Sequence, residues 1–327
     1  MLTVLCLNAG IDRTYEVEDF SVGGYYRPLR MRVQAGGKGI NVARVAYRLG
    51  VETIVSGFAG GSGGAFAARQ LQGEGILTDF IPIEEEPRVC INIVNRRAKT
   101  QTRVDEAGPL VSPTEIVALR RKWQELLAKS QAAVISGSAP RGVPFSMYGD
   151  LISTGRQAGL PVILDARDEL LAEGVRAKPQ MIKPNLEELS ALKDRPIQTV
   201  QQALAAGREL AEGGVSIVLI SMGAAGAVAV TRKQGYWMAK PPKVDLVSSV
   251  GSGDAMVAGF VAASLTGRSF ADCLRWGVAA GAANATQFEN AGCTRDEIMS
   301  LVAQVQLSRV DDFTAAVATP GDAAATG

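Results

Sequence analysis

Near its C-terminal end the chain carries Gly251-Ser252-Gly253-Asp254, followed by the helix-like run Ala255 to Phe260. The glycines let the backbone turn tightly. The first turn of the helix after them offers unpaired N–H groups at the positive end of its dipole. Such a place suits an anion, above all the charge that develops on a transferring phosphoryl group. Asp254, at the helix mouth, could take a proton from an attacking hydroxyl. It could equally be a helix cap and nothing more. Histidine is absent from all 327 residues. That excludes Ser-His-Asp and Cys-His chemistry and His-ligated metals, and leaves Asp, Glu, Lys, Tyr or Cys as a general base.

Other segments have chemical potential of the same kind. Gly36-Gly37-Lys38-Gly39 precedes a helix expected to begin near Asn41. It could cradle an anion with Lys38 as a point charge, or be a glycine turn with a solvated lysine. It is not a Walker A loop, because Gly39 stands where Ser or Thr should follow the lysine. Asn8 to Arg13 follows the first apolar strand, so Asp12 could accept hydrogen bonds from sugar hydroxyls or form an Asx-turn. In Lys183-Pro184-Asn185, Asn185 and Glu188 have the spacing of a capping box. They could also hold water around a Mg²⁺–nucleotide. Ser221, Gly223 and Gly226 read as a strand, turn and strand that a flat ligand could approach, or as a plain hairpin.

Elements to position these groups are legible. Unbroken β-branched runs at 53–56, 133–136, 161–164, 217–220 and 227–230 suit strands buried on both faces. Helical patterns at 41–49, 113–129, 145–158, 200–212, 254–265 and 270–288 alternate with them. This alternation predicts an α/β fold around a largely parallel sheet. A strand-like stretch, Val244 to Ser248, is expected before Gly251. Arg13 to Gln34, including Tyr25 to Arg27, and Arg88 to Glu106 read as strands without helices between them. They fit a small separate sheet or edge hairpins of the main one. Residues 1–310 are expected to form one domain and the Ala/Thr/Gly-rich tail from 311 to 327 to be disordered.

Composition narrows the partners. With 34 basic and 33 acidic residues there is no footprint for nucleic acid or an anionic membrane. Cys6, Cys90, Cys273 and Cys293 are scattered, without a Cys-x-x-Cys, which argues for reduced, buried thiols. The apolar start, Met1 to Leu7, is too short for a signal segment and no run has membrane-spanning length. A cytoplasmic protein is expected. No G-x-G-x-x-G follows the first strand, which weighs against a dinucleotide site.

Taken in order, Asn8 to Arg13, Gly36 to Arg44, Ser136-Gly137-Ser138, Lys183-Pro184-Asn185 and Gly251 to Asp254 with Met256 to Gly259 resemble the ribokinase-like carbohydrate kinases, the PfkB family. The resemblance runs from about Thr3 to about Leu307 and is greatest to the sugar-phosphate branch, of the 1-phosphofructokinase and tagatose-6-phosphate kinase type. It implies a three-layer α/β/α core with a small β-sheet lid that also forms a homodimer contact. It implies ATP, Mg²⁺ and in some members a monovalent cation. By resemblance Asp254 is the base, with the amides of Ser252, Gly253 and Asp254 after Gly251 as the anion hole. Asp12, Gly37, Asn41 and Ser138 lie at the sugar; Lys38, Arg88 and Arg30 lie near its phosphate. Ser221, Gly223, Gly226 and Asn284 lie on the nucleotide side, and Asn185 and Glu188 order metal-bound water. The implied reaction is phosphorylation of a ketohexose phosphate, foremost fructose 1-phosphate to fructose 1,6-bisphosphate. Tagatose 6-phosphate, fructose 6-phosphate, an unphosphorylated sugar or nucleoside, and a silent sugar-phosphate sensor are the alternatives. Departures from the family pattern fall at residues 9–11, Ala139 to Arg141, Ala166 to Asp168, and Ser252, where alanine is usual.

Overall fold

A computed structural model of the chain describes residues 1–310; the tail expected to be disordered lies outside them. The chain opens with β1 (Leu2–Asn8), which runs almost directly into β2 (Gly10–Val17) of a second sheet and returns through β3 (Arg30–Gly36). Helix α1 (Lys38–Arg48), β4 (Thr53–Gly60), α2 (Gly61–Gly73), β5 (Leu77–Thr78) and β6 (Ile81–Ile83) follow. The second sheet is completed by β7 (Arg88–Asn95) and β8 (Thr100–Asp105). Then come α3 (Pro113–Leu127), β9 (Ala132–Ser136), α4 (Ser146–Gln157), β10 (Val162–Asp165), α5 (Asp168–Arg176) and β11 (Met181–Ile182). The chain continues through α6 (Leu186–Lys193), α7 (Val200–Glu212), β12 (Ile217–Ser221), β13 (Ala227–Thr231) and β14 (Gly235–Lys240). It ends with α8 (Ser252–Leu265), α9 (Phe270–Ala285), α10 (Arg295–Val302) and β15 (Gln306–Arg309).

The large sheet has eleven strands in the order β15-β14-β13-β12-β11-β10-β9-β1-β4-β5, with β6 also on β4. From β12 to β5 the pairing is parallel; β13, β14 and β15 add an antiparallel edge. Strand periodicity divides β1 between two cores. Leu2, Val4 and Cys6 pack with α1, α2, α8, α9 and α10, whereas Leu5 and Leu7 pack with α3 to α7. The result is helices on both faces of a mixed sheet, the α/β arrangement that the alternating pattern predicts. Helix α8 is apolar all round and buried from Asp254 to Ala263, which places its N-terminus deep beside the sheet. Among the described residues no helix is long and apolar enough to cross a membrane.

The second sheet has the order β3-β2-β7-β8. It is separate from the large sheet rather than a set of edge hairpins, and β2 begins at Gly10, closer to β1 than expected. Tyr25 to Arg27 lie in a loop, not a strand. Val244 to Ser248 are not a strand either. They belong to a loop whose Val247 and Ser248 N–H groups donate to the carbonyl of Ala285 at the end of α9. Helix α1 starts at Lys38 rather than near Asn41, because Gly37 supplies the left-handed turn (φ 120°) that ends β3. Helix α2 escapes a sequence reading because it opens Gly61-Ser62-Gly63-Gly64. Its free N–H groups at Ser62 and Gly63 are capped from outside by the Glu86 carboxylate, at 2.7 and 2.8 Å.

Gly57 in β4 has φ 144°, and a Cβ there would lie 1.9 Å from the Cys6 carbonyl oxygen of β1. Gly57→Ala should therefore cost at least ~2 kcal/mol, the range of severe backbone clashes. Gly73→Ala, at the open end of α2 with nothing within 4 Å, should be neutral or stabilise by up to ~1 kcal/mol. Urea unfolding of both variants checks the pair.

Candidate active site

The motifs meet because they end strands on one side of the sheet. Asn8 closes β1, Gly137 and Ser138 follow β9, Asp165 closes β10, Lys183 follows β11 and Ser221 closes β12. Carboxyl ends of strands, where the order switches sides around β1, are where an α/β sheet opens a crevice. A cavity of about 1540 Å³ lies there, between those ends, the N-termini of α1 and α8 and the second sheet. It is lined by Asp12, Gly37, Lys38, Asn41, Arg88, Ser138, Asn185, Glu188, Ser221, Gly223, Gly226 and the whole of Gly251 to Asp254.

Two glycine turns set the centre. Gly251 (φ 80°) is the N-cap of α8; the N–H of Ser252 donates 3.2 Å to the Ser249 carbonyl, and those of Gly253 and Asp254 are free in the first turn. Asp254 makes no capping bond. Its Oδ2 instead accepts 2.8 Å from Asn41 Nδ2 of α1, so capping does not account for it. Gly36 passes so close to Asp12 that a Cβ would sit 2.1 Å from Asp12 Oδ1. Gly39 lies against β1, where a Cβ would sit 2.7 Å from Cys6 Cβ. Arg44 of α1 fixes this turn from below, donating to the Ala35 carbonyl and to Glu74 at 2.6 and 2.7 Å.

Beside Asp254 lies a compact set of charges. Fully buried Asp165 Oδ1 is 3.3 Å from both Lys38 Nζ and Lys183 Nζ, and Lys38 is 3.6 Å from Glu188. A Cβ on Gly253 would lie 3.1 Å from Lys183 Nζ, so this ammonium stands directly under the first turn of α8. Burial works against the Asp165 carboxylate, but Lys183 and Lys38 outweigh it and hold its pKa below the usual range. Burial likewise opposes the Lys38 ammonium, and Asp165, Asp254 and Glu188 reverse that, raising its pKa. Asp254 goes the other way. Burial and then the Asp165 charge lift it to about 6, against Lys38, Asn41 and Lys183. A carboxylate poised there is well matched to general-base work near neutrality. Asp12 is also raised, mainly by burial, against a hydrogen bond from Asn290 and the charges of Arg103, Arg88 and Arg44.

Not every expected residue reaches the cavity. Arg30 does not line it: its guanidinium lies 4.4 Å above the Phe288 ring and pairs with Glu289 at 3.4 Å. Asn284 stands behind the glycine turn, donating 2.8 Å to the Val250 carbonyl and 3.2 Å to Ser252 Oγ. Lys38 does line the cavity, but its ammonium also pairs with the carboxylates of Asp165 and Glu188. Asn185 and Glu188 do form a capping box, at 2.7 and 2.9 Å, which leaves Glu188 Oε1 to face Lys38. Arg103 of β8 lines the cavity with Arg88 and was not singled out in the sequence; its alternation with Cys90 and Arg88 across the β7–β8 pair is the signal. Asp165, Lys183 and Asn290 were missed as well, since each gains its place only through the fold.

The turn from Ser221 to Gly226, expected on the nucleotide side, is open at Gly223. No atom lies within 4 Å of a Cβ on Gly223, while one on Gly226 would strike the Ala239 carbonyl at 2.0 Å. Met256, Val278, Ala282 and Ala285 give the adjoining wall an apolar surface. Among the described residues no cluster of three or more His, Cys, Asp or Glu could hold a metal by itself. The oxygens of Glu188 suit a hard ion carried on a nucleotide's phosphates and met through water.

Comparison with known proteins shows the family and the fold. Residues 3–297 match the profile of the pfkB family carbohydrate kinases. The 1-phosphofructokinase of Bacillus subtilis is 32% identical over 95% of this chain and all of its own length. A possible 1-phosphofructokinase of Thermotoga maritima superposes with a TM-score of 0.88, at 28% identity, over 95% of this chain and 99% of its own. Phosphofructokinase-2 of Escherichia coli, in complex with potassium, superposes at 0.84 and 27% identity, over 93% and 98% of the two chains. Its tetrameric inhibited form superposes at 0.83.

Because the Asp254 pKa is raised, its carboxylate favours folding fully only below the unfolded value near 3.8, and that advantage is lost as pH rises through about 6. Asp254→Asn should thus melt a few degrees higher than wild type at pH 8, and the difference should vanish below pH ~4. Thermal melts across pH check this.

Proposed function

The chain belongs to the pfkB family of carbohydrate kinases and is an ATP-dependent carbohydrate kinase; from that premise we propose that it transfers the γ-phosphoryl group of ATP to fructose 1-phosphate, giving fructose 1,6-bisphosphate. That it acts on a sugar phosphate is supported by relatives named 1-phosphofructokinase along nearly the whole chain. The observation that carries the finer reading is a single cavity in which a dry, raised-pKa Asp254 faces Asp12 and Asn41 on one side and an open glycine turn on the other, with Arg88 and Arg103 projecting from the second sheet.

In this reading Asp12 and Asn41 hold the sugar hydroxyls, with Gly37 and Ser138 at its edge. Asn41 also orients Asp254, which takes the proton of the attacking hydroxyl. The free amides of Gly253 and Asp254, with Lys183 beneath them, stabilise charge on the transferring group; the Ser252 amide, expected to join them, is turned to the Ser249 carbonyl. Arg88 and Arg103 hold the substrate's own phosphate, taking the place first given to Lys38 and Arg30. Lys38 instead keeps Asp165, Glu188 and Asp254 from repelling one another. Ser221, Gly223 and Gly226 accept the nucleotide. Asn185 and Glu188 would hold, through water, a Mg²⁺ ion carried on ATP, which would supply charge neutralisation for the phosphates. A monovalent cation remains a further expected partner, supported by the potassium complex of the Escherichia coli relative. Residues 1–310 act as one cytoplasmic domain, the second sheet is its lid, and the exposed apolar Tyr25, Leu29, Met31 and Val104 suit a homodimer contact through it.

Asp254→Asn should lower kcat by at least ~10²-fold, the low end for a lost general base, with ATP binding retained. Turnover near wild type would remove Asp254 from the role. Arg88→Ala and Arg103→Ala should each raise KM for fructose 1-phosphate ~10-fold or more while leaving KM for ATP within about twofold. Comparing kcat/KM for fructose 1-phosphate, fructose 6-phosphate and tagatose 6-phosphate checks the substrate, and preference for either 6-phosphate would overturn it.

A further inference from the structure

The segment between α9 and α10 reaches the sugar side of the cavity from the nucleotide side. Asn290 lies on the cavity wall, 7% exposed, and its Nδ2 donates 2.9 Å to Asp12 Oδ2. Asp12 has no other side-chain hydrogen bond among the described residues, and Gly36 closes its other flank, since a Cβ there would meet Oδ1 at 2.1 Å. The carboxylate is therefore pinned by one oxygen. The same segment is fastened to the lid. Gln34 Nε2 of β3 donates to the Asn290 carbonyl at 3.2 Å, and Glu289 pairs with Arg30 and Arg32 of β3 at 3.4 and 3.5 Å. It also backs the anion turn, where a Cβ on Gly251 would come within 3.4 Å of Ala291 N and 3.7 Å of Asn290 Cα.

We propose that Asn290 is a positioning residue for the sugar: it holds Asp12 Oδ2 so that Oδ1 is left to accept from a hydroxyl of the sugar phosphate, and it links that contact to the lid strand β3 and to the turn at Gly251. This rests on the sugar-phosphate reading above. A carboxylate in a dry wall with no donor on it can rotate or bind a proton, and either change removes the acceptor the sugar needs. An amide is the fitting partner, because its N–H₂ group donates without adding charge. Segment 286–291 could alternatively be only a staple between lid and helix, and the two roles differ in what they move. A lost staple lowers the melting temperature and disturbs both substrates. A lost positioner changes the sugar term alone.

The test is steady-state kinetics of the full chain with ATP and the three ketohexose phosphates, alongside thermal melts. Asn290→Ala should raise KM for the preferred sugar phosphate ~10-fold, the size of one hydrogen bond to a charged group. KM for ATP should stay within about twofold and kcat should fall less than about threefold. Asn290→Ser, whose hydroxyl can still donate, should recover part of the loss. Asn290→Asp, which sets a second carboxylate against Asp12, should be worse than alanine. Glu289→Gln removes the ion pairs of the same segment and should leave the sugar KM within about twofold. An active wild type whose Asn290→Ala variant keeps its sugar KM, or raises both KM values together, overturns this proposal alone. A wild type inactive on all three sugars overturns the substrate reading and this assignment with it.

Discussion

The site depends on one hydrogen bond across a helix pair: Asn41 of α1 donating to Asp254 of α8. Both helices begin at glycine turns, both have their N-termini at the carboxyl edge of the sheet, and α8 is apolar on every side. Burying α8 so fully is what dries the carboxylate and raises its pKa. Leaving it unpaired there would cost more than the fold could readily spare, so an amide from α1 satisfies one oxygen and directs the other. The remaining polar architecture follows from keeping that carboxylate stable but reactive.

Charge around it is balanced in pairs. Asp165 is held ionised by two ammonium groups, and its charge in turn helps to keep Asp254 raised. Lys183 is shared between Asp165 and the first turn of α8, so in the proposed reaction its ammonium would stand beside the transferring phosphoryl group. In the proposed reaction these buried charges would act as electrostatic preorganisation, since the same charges in water would be screened. The second sheet adds a different function. It contributes Asp12 from β2 and two guanidinium groups from β7 and β8, on a surface that is not part of the main core.

The sequence carried the architecture well where period and chemistry agree. Continuous β-branched runs found β4, β9, β10 and β12 of the parallel region and β13 of the antiparallel edge, and Gly251 to Asp254 line the cavity. Boundaries failed in two places: α2 was missed because it opens on glycines and its cap, Glu86, is distant in sequence, and Val244 to Ser248 looked like a strand although, among the described residues, no strand pairs with it. Among site residues, those in compact motifs were legible. Asp165 and Lys183 were visible only as parts of loops, and Arg103 and Asn290 not at all, because each acquires its role from a contact between elements. Arg30 and Asn284 show the converse. An ion pair with Glu289 and bonds to the Val250 loop turn them away from the cavity.

The central claim is that Asp254 is the base and that Asn41 tunes it. The most direct measurement is the acid limb of kcat/KM for the preferred sugar phosphate in wild type and in Asn41→Ala. The account predicts a wild-type limb near pH 6 that moves to higher pH in Asn41→Ala, because the lost hydrogen bond favoured the ionised carboxylate. Ionisation of the substrate's own phosphate is the same in both enzymes and cannot produce that displacement. A limb at the same pH in the two proteins, with only its height reduced, would contradict the account.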